Sequence, residues 1–193
     1  MPSATSFQQK QKLFFSLPDA LATMALGSGL GELLCAGQEA PPIMLHGALG
    51  SGKTTLVRGI VTALPGSQRA EVCSPSFTIL NFYPTKPPVL HADLYRCPAG
   101  STLPEELEEA LDPGASSPFL VLLEWPEFLP AEILPVKRLD IFLEECHSAC
   151  LFSVAAYGES AQAICSALVG WTACRHPEWL ASAPADNLQY AQT

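Results

Sequence analysis

The chain has 193 residues, 48% hydrophobic and 15% charged, which supports one ordinary core and excludes disorder throughout. Ten Lys and Arg against 19 Asp and Glu leave a formal net charge of −9, so the clustered cations needed to grip nucleic acid or an anionic membrane are lacking. No apolar run reaches the roughly 20 residues of a membrane-spanning helix, and seven scattered cysteines without a CxxC pair indicate neither a disulfide framework nor a zinc ribbon.

Residues 1–11 are polar, and a frayed start is expected there. Lys10 and Lys12 precede an apolar stretch, but Asp19 and Glu32 interrupt it and no small-residue cleavage pattern follows. A secretory signal is therefore not expected, and the cytoplasm fits best. Lys12–Ser16 reads as a short strand. Pro18, placed in a first helical turn, and Asp19 open a helix to about Leu34, although Gly27, Gly29 and Gly31 weaken its middle. Pro42–His46 is a continuous apolar run of the kind found in buried parallel strands. A glycine-rich turn follows, then a helix over Thr54–Leu64 with Leu56, Val57, Ile60 and Leu64 on its apolar side.

Phe77–Tyr83 and Val89–Leu94 read as strands separated by a proline-rich turn. Pro104–Leu111 is an acidic amphipathic helix that Asp112-Pro-Gly stops, and Phe119–Leu123 is the second buried strand. Leu139–Glu144 and Leu151–Ala156 form an antiparallel pair around Cys146, His147 and Cys150, a group that lacks the second half of a metal site. Ser160–Val169 is the last helix. Residues 12–169 thus read as one α/β domain, and 170–193 as an irregular tail.

Gly47–Thr54, GALGSGKT, matches G-x-x-x-x-G-K-[ST] in full, between a buried strand and an amphipathic helix. Glycines let such a loop wrap its N–H groups around phosphate oxygens, and the helix N-terminus adds its dipole. Lys53 then addresses the β- and γ-phosphates, and the Thr54 hydroxyl is placed for Mg²⁺. The acidic magnesium contact such sites need is offered by Glu124, directly after the Phe119–Leu123 run; the alternative is a solvated carboxylate at a strand end. Trp125 is a neighbour of that position. Asp93 is the other candidate, with alternation placing His91, Asp93 and Tyr95 on one strand face, serving either a metal–phosphate site or a satisfied core network. Arg96 suits a surface salt bridge better than a phosphate contact.

The guanine-reading N-K-x-D is absent, and only five arginines, at 58, 69, 96, 138 and 175, are available to clamp phosphates as metabolite kinases do. A small ATPase with few cations remains. In order and spacing, GALGSGKTTLVRGI, SPSFTILNFY, HADLYR and LLEWPE resemble the bacterial TsaE family, the ATPase of the machinery that makes tRNA threonylcarbamoyladenosine, across residues 12–158. Ala48 stands where the family commonly has an acid, and Ser76 where it has threonine.

That resemblance implies a P-loop NTPase-like α/β fold, with a central mixed and mainly parallel sheet and helices on both faces. It implies Mg-ATP held by Gly47, Ala48, Leu49, Gly50, Ser51, Gly52, Lys53, Thr54 and Thr55, magnesium near Thr54 and Glu124, and Asp93 at the site. Lys53, Asp93 and Glu124 are then the catalytic candidates, with Asp93 a further candidate metal contact. The implied partners are TsaD-like and TsaB-like proteins, with tRNA reached only through them and neither DNA nor membrane bound. Two other readings stay open: a nucleotide-dependent binding switch without essential turnover, and a small-metabolite kinase.

Overall fold

The computed structural model describes residues 12–36, 40–97, 101–114, 117–146 and 149–182. Among them, strands β1 (Lys12–Leu17), β2 (Ile43–His46), β3 (Leu80–Tyr83), β4 (Val89–Asp93), β5 (Leu120–Glu124), β6 (Arg138–Cys146) and β7 (Ala149–Tyr157) form one sheet in the order β1-β7-β6-β2-β5-β4-β3. The four central strands, β6-β2-β5-β4, run parallel, while at the margins β3 pairs antiparallel with β4, β7 with β6 and β1 with β7. The expected mixed sheet is thus parallel where the site lies.

Helices α1 (Ala20–Ala36), α2 (Lys53–Ala63) and α4 (Glu159–Arg175) cover one face and α3 (Glu105–Leu111) the other. Because β2 and β5 are buried on both sides, their residues divide by alternation between two cores. Ile43, Leu45 and Leu122 pack with Leu26, Leu56 and Ile60, whereas Met44, Val121 and Leu123 pack with Leu107 and Leu111. This is the doubly covered α/β architecture expected.

The glycines of α1 do more than weaken it. A Cβ on Gly27 would lie 2.5 Å from the Leu56 carbonyl oxygen, and one on Gly31 equally close to that of Ile60. From the opposite helix, a Cβ on Gly59 would fall onto the Met24 carbonyl. The two helices touch backbone to backbone, which side chains would prevent. Gly29 serves the other neighbour, since the Trp171 ring of α4 occupies the space of its missing Cβ. Asp19 caps α1, accepting from Ala22 N–H at 2.8 Å, so Pro18 precedes the helix and does not enter its first turn.

Two segments depart from expectation. Phe77–Ile79 is a turn: the Thr78 and Ile79 N–H groups both donate to Pro75 O, at 3.0 and 2.6 Å, and Ile79 is left with φ of 67°. A β-branched residue pays roughly 1–2 kcal/mol there, so β3 starts only at Leu80. The expected irregular tail begins later than Gly170. Helix α4 continues to Arg175 because Trp171 seats on Gly29 and donates to Glu32 at 3.0 Å, while buried Thr172 bonds Leu168 O. Trp179 is buried beyond it, and Ala181 N–H donates to Phe14 O on the β1 edge at 3.0 Å. Residues 170–182 therefore belong to the domain; 1–11, 183–193 and the turn containing His147 lie outside the described residues.

Gly59→Ala must push α2 from α1, and overpacking of this kind costs ~1–3 kcal/mol. A fall in Tm of roughly 2–4 °C per kcal/mol is expected in a calorimetric melt. Gly170→Ala meets nothing within 4 Å in a helix interior and should raise stability by ~0.5–1 kcal/mol. Equal effects of the two substitutions would contradict this packing.

Candidate functional site

The loop after β2 and the ends of β4 and β5 place the site at the carboxyl ends of parallel strands, where α/β sheets bind ligands, and the segment before β3 adds Ser74 and Ser76. The loop from β2 turns at Gly47 (φ 144°), Gly50 (84°) and Gly52 (98°), all in the region that favours glycine. At Gly47 a Cβ would strike the Leu143 carbonyl and approach Ser51 Oγ to 2.7 Å. Helix α2 starts at Lys53, with Leu56 N–H closing on Gly52 O at 2.9 Å, and aims its N-terminus at the loop. Ser51 Oγ is buried without a hydrogen-bond partner. Wrapped backbone and an orphaned hydroxyl are costs that an anionic ligand in the loop would offset.

Lys53 is 4% exposed. Its ammonium donates to Gly47 O at 2.8 Å and Ala48 O at 2.9 Å, and lies 4.1 Å from the centre of the Trp125 ring. Burial pushes its pKa below the usual lysine range, while the Glu124, Asp93 and Glu127 carboxylates oppose that shift. Trp125 reaches this position because its backbone is left-handed (φ 63°) where β5 ends, turning the chain into a short 3₁₀ turn over Pro126–Phe128.

The two candidate carboxylates are register partners: Asp93 of β4 pairs with Glu124 of β5. Both are 3% exposed. Glu124 Oε1 accepts from Thr54 Oγ1 at 2.8 Å, joining the strand end to the second residue of α2. Asp93 Oδ2 accepts from Ser74 Oγ at 2.7 Å and Ser76 Oγ at 2.6 Å, while Oδ1 accepts from Tyr95 N–H at 3.0 Å. A cleft of about 350 Å³ joins Gly50, Gly52, Lys53, Thr54 and Thr55 to Ser74, Ser76, Asp93, Glu124 and Trp125. Leu49 lines it too, and Ala48 is exposed on the loop.

The structure thus brings the loop, Lys53, Thr54, Asp93 and Glu124 into one cleft. It does not extend the expected face to Tyr95: β4 ends at Asp93, and Tyr95 sits in the following turn, 42% exposed, its ring 4.8 Å from that of Trp125. Arg96 stacks on the exposed Phe77 ring at 4.3 Å, in place of the expected salt bridge. Sequence reasoning missed the Trp125–Lys53 stacking and the bond from His91 Nε2 to Glu124 Oε1, 3.0 Å long. The one available signal for the latter was the polar face of an otherwise buried β4.

Among the described residues no group of three or more His, Cys, Asp or Glu could close around a metal. Thr54 and the neighbouring carboxylates suit a divalent ion that takes its remaining oxygens from a ligand, as Mg²⁺ does with phosphates.

Loop, strand order and paired carboxylates define a P-loop NTPase-like α/β protein. The family model described as threonylcarbamoyl adenosine biosynthesis protein TsaE matches residues 17–150, and the chain belongs to that family. Among similar proteins, the tRNA threonylcarbamoyladenosine biosynthesis protein TsaE of Nostoc sp. is 39% identical over 139 residues, covering 72% of this chain and 80% of the relative. Its counterpart in Mycobacterium tuberculosis is 35% identical over 153 residues, 75% of this chain and 87% of the relative. The crystal structure of Bacillus subtilus YdiB superposes with a TM-score of 0.64 at 25% identity, over 83% of this chain and 96% of that one.

Thiol reactivity checks the packing behind the cleft. Burial pushes Cys165 up to about 12 and also raises Cys97, where Asp93 adds to the effect. Since the thiolate is the nucleophile, a disulfide reagent at pH 8 should label exposed Cys35, Cys73 and Cys174 and spare Cys97 and Cys165 until the protein is unfolded. Labelling of Cys165 in the native state, read by mass spectrometry, would contradict it.

Proposed function

We propose that this protein binds ATP with Mg²⁺, hydrolyses it slowly alone and faster with partners, and serves threonylcarbamoyl modification of adenosine in tRNA. The observation carrying this reading is the convergence of Lys53, Thr54, Glu124 and Asp93 on the mouth of the Gly47–Thr54 loop, in a chain of the TsaE family. In the proposed bound state the loop N–H groups and the α2 N-terminus hold the phosphates, and Lys53 exchanges its Gly47 and Ala48 carbonyl partners for phosphate oxygens. Thr54, which now bonds Glu124, and Glu124 itself, with Asp93 beside it, are the residues that would hold the metal. Mg²⁺ would supply charge neutralisation on the phosphates.

Among the described residues, no arginine lines the cleft. The charge that arginine fingers supply elsewhere, worth ~10³–10⁵ in rate, is therefore assigned to a partner of the TsaD or TsaB type. A net charge of −9 supports the same division of labour, with tRNA held by those partners and not by this chain. No helix among the described residues is long and apolar enough to cross a membrane; membership of a tRNA-modification family is what supports a cytoplasmic location in this proposal. The lack of cleft arginines leaves the metabolite-kinase reading without support. A binding switch without essential turnover is favoured by one feature, the Ser74 and Ser76 hydroxyls that tie the 74–78 segment to Asp93.

Lys53→Ala should lose ~1.5–3 kcal/mol of ATP affinity, roughly ten- to a hundredfold, by calorimetry. Unchanged affinity would remove the loop from the site. Glu124→Ala and Asp93→Ala should keep much of the affinity and lose turnover; wild-type hydrolysis in both would make these carboxylates structural. In a reconstituted assay with partner proteins, threonine, bicarbonate, ATP and tRNA, product formation should depend on this protein and fail with Lys53→Ala. Sustained formation without it would overturn the reading, and essential binding with no turnover would favour the switch.

A further inference from the structure

The buried histidine of β4 touches the site from behind. His91 is completely buried, as is only Thr172 among the other described polar residues, and its two ring nitrogens face different partners. Nε2 lies 3.0 Å from Glu124 Oε1, the same oxygen that accepts from Thr54. Nδ1 lies 3.3 Å from the Tyr83 hydroxyl, which also reaches the Cys73 carbonyl at 3.2 Å. Burial raises the Tyr83 pKa, keeping it a hydroxyl with one proton to give. A connected path thus runs from the residue before Ser74, through Tyr83 and His91, to the Glu124 oxygen that meets α2.

We propose that His91 is a positioning residue for Glu124: its Nε2–H donates to Oε1 and holds the carboxylate in the orientation that receives the metal. The inference rests on the Mg-nucleotide reading above. Core packing alone does not explain an imidazole here, because burying a polar ring costs free energy that an apolar side chain of similar volume avoids. Both bonds converge on Oε1, so Oε2 is engaged by neither, in a residue that lines the cleft. When Thr54 turns to a metal, His91 remains as the bond that fixes the carboxylate. A carboxylate oxygen only accepts, so the ring must present N–H at Nε2. In the neutral ring Nδ1 is then an acceptor that shares the single Tyr83 proton with the Cys73 carbonyl, and the identity of one nitrogen is set by the partner of the other. Groups that orient a metal-binding side chain typically cost ~10–100-fold in metal affinity when removed.

The test uses the full chain, with His91→Leu to fill the volume without a donor and His91→Gln to restore an N–H near Nε2. ADP binding is titrated by calorimetry with and without Mg²⁺, and the half-saturating Mg²⁺ concentration is measured. His91→Leu is expected to bind metal-free ADP within about threefold of wild type while half-saturating Mg²⁺ rises ~10–100-fold; His91→Gln should recover most of that rise. In hydrolysis, kcat should fall in His91→Leu with KM for ATP little changed. Independently, ¹⁵N correlation spectra of the nucleotide-free wild type should show His91 protonated at Nε2. An unshifted Mg²⁺ requirement in His91→Leu, equal shifts in both variants, or a neutral ring protonated only at Nδ1 overturns the proposal. If His91→Leu does not fold, the His91→Gln titration and the spectrum decide it. A wild type whose ADP binding ignores Mg²⁺ overturns the functional reading and this inference together, whereas a Mg²⁺-dependent wild type with an unaffected variant overturns this inference alone.

Discussion

A buried ammonium organises the site. Lys53 is desolvated on the first residue of α2, and desolvation alone favours its neutral form; three carboxylates oppose that, with Glu124 first. Each surrounding feature answers this charge. Two loop carbonyls accept its protons, the Trp125 face covers it, and β4 and β5 end at the same level so that Asp93 and Glu124 stand together. Breaking one side of a buried charge cluster leaves the other uncompensated, so the loop and the strand ends form one electrostatic unit. On the proposed function, a phosphate ligand would enter that unit by replacing the loop carbonyls as Lys53's partner.

Holding such a unit requires that α2 not move. The constraint comes from α1, whose Gly27 and Gly31 admit the α2 backbone and whose packing leaves no room for a Cβ on Gly59. Residues usually written off as helix breakers here set the distance between helices, at a propensity cost of about 1 kcal/mol each. Trp171 on Gly29 then locks α4 to the same helix, and Ala181 continues to the β1 edge. The outer layer is therefore built in series behind the Gly47–Thr54 loop, and α1 holds α2 through contacts between backbones.

How legible each part was depended on how local its cause is. The Gly47–Thr54 loop, the apolar runs of β2 and β5 and the acid at Glu124 are local patterns, and all could be read in the sequence. Phe77–Ile79 has the composition of a strand, but the Pro75 carbonyl captures two N–H groups and forces Ile79 left-handed. Propensity lost to turn chemistry there. Helix α4 passes Gly170 because its anchor, Gly29, is far away in the chain, and no window around Gly170 contains that fact. His91 read equally well as core or site; its tie to Glu124 depends on the β4/β5 register, which periodicity does not supply.

The cleft has one wall that differs in kind from the others. Loop, α2 and strand ends are packed on the sheet, whereas the Ser74–Thr78 wall is attached to Asp93 by two hydroxyls and ends in a strained Ile79. Hydroxyl bonds to a carboxylate are exchangeable for bonds to a metal or phosphate, and strain at Ile79 lowers the cost of leaving the present arrangement. Phe77 stands 83% exposed on this wall with Arg96 stacked against it, so a rearrangement at Asp93 changes what the outer surface presents. On the proposed function, a ligand in the cleft would have a physical route to the outer surface: its phosphate oxygens would compete with Asp93 for the Ser74 and Ser76 protons, and the segment that carries Phe77 would follow. Differential affinity for the two arrangements is what such coupling requires, and the carboxylate that would sense the ligand is the one that now holds the wall.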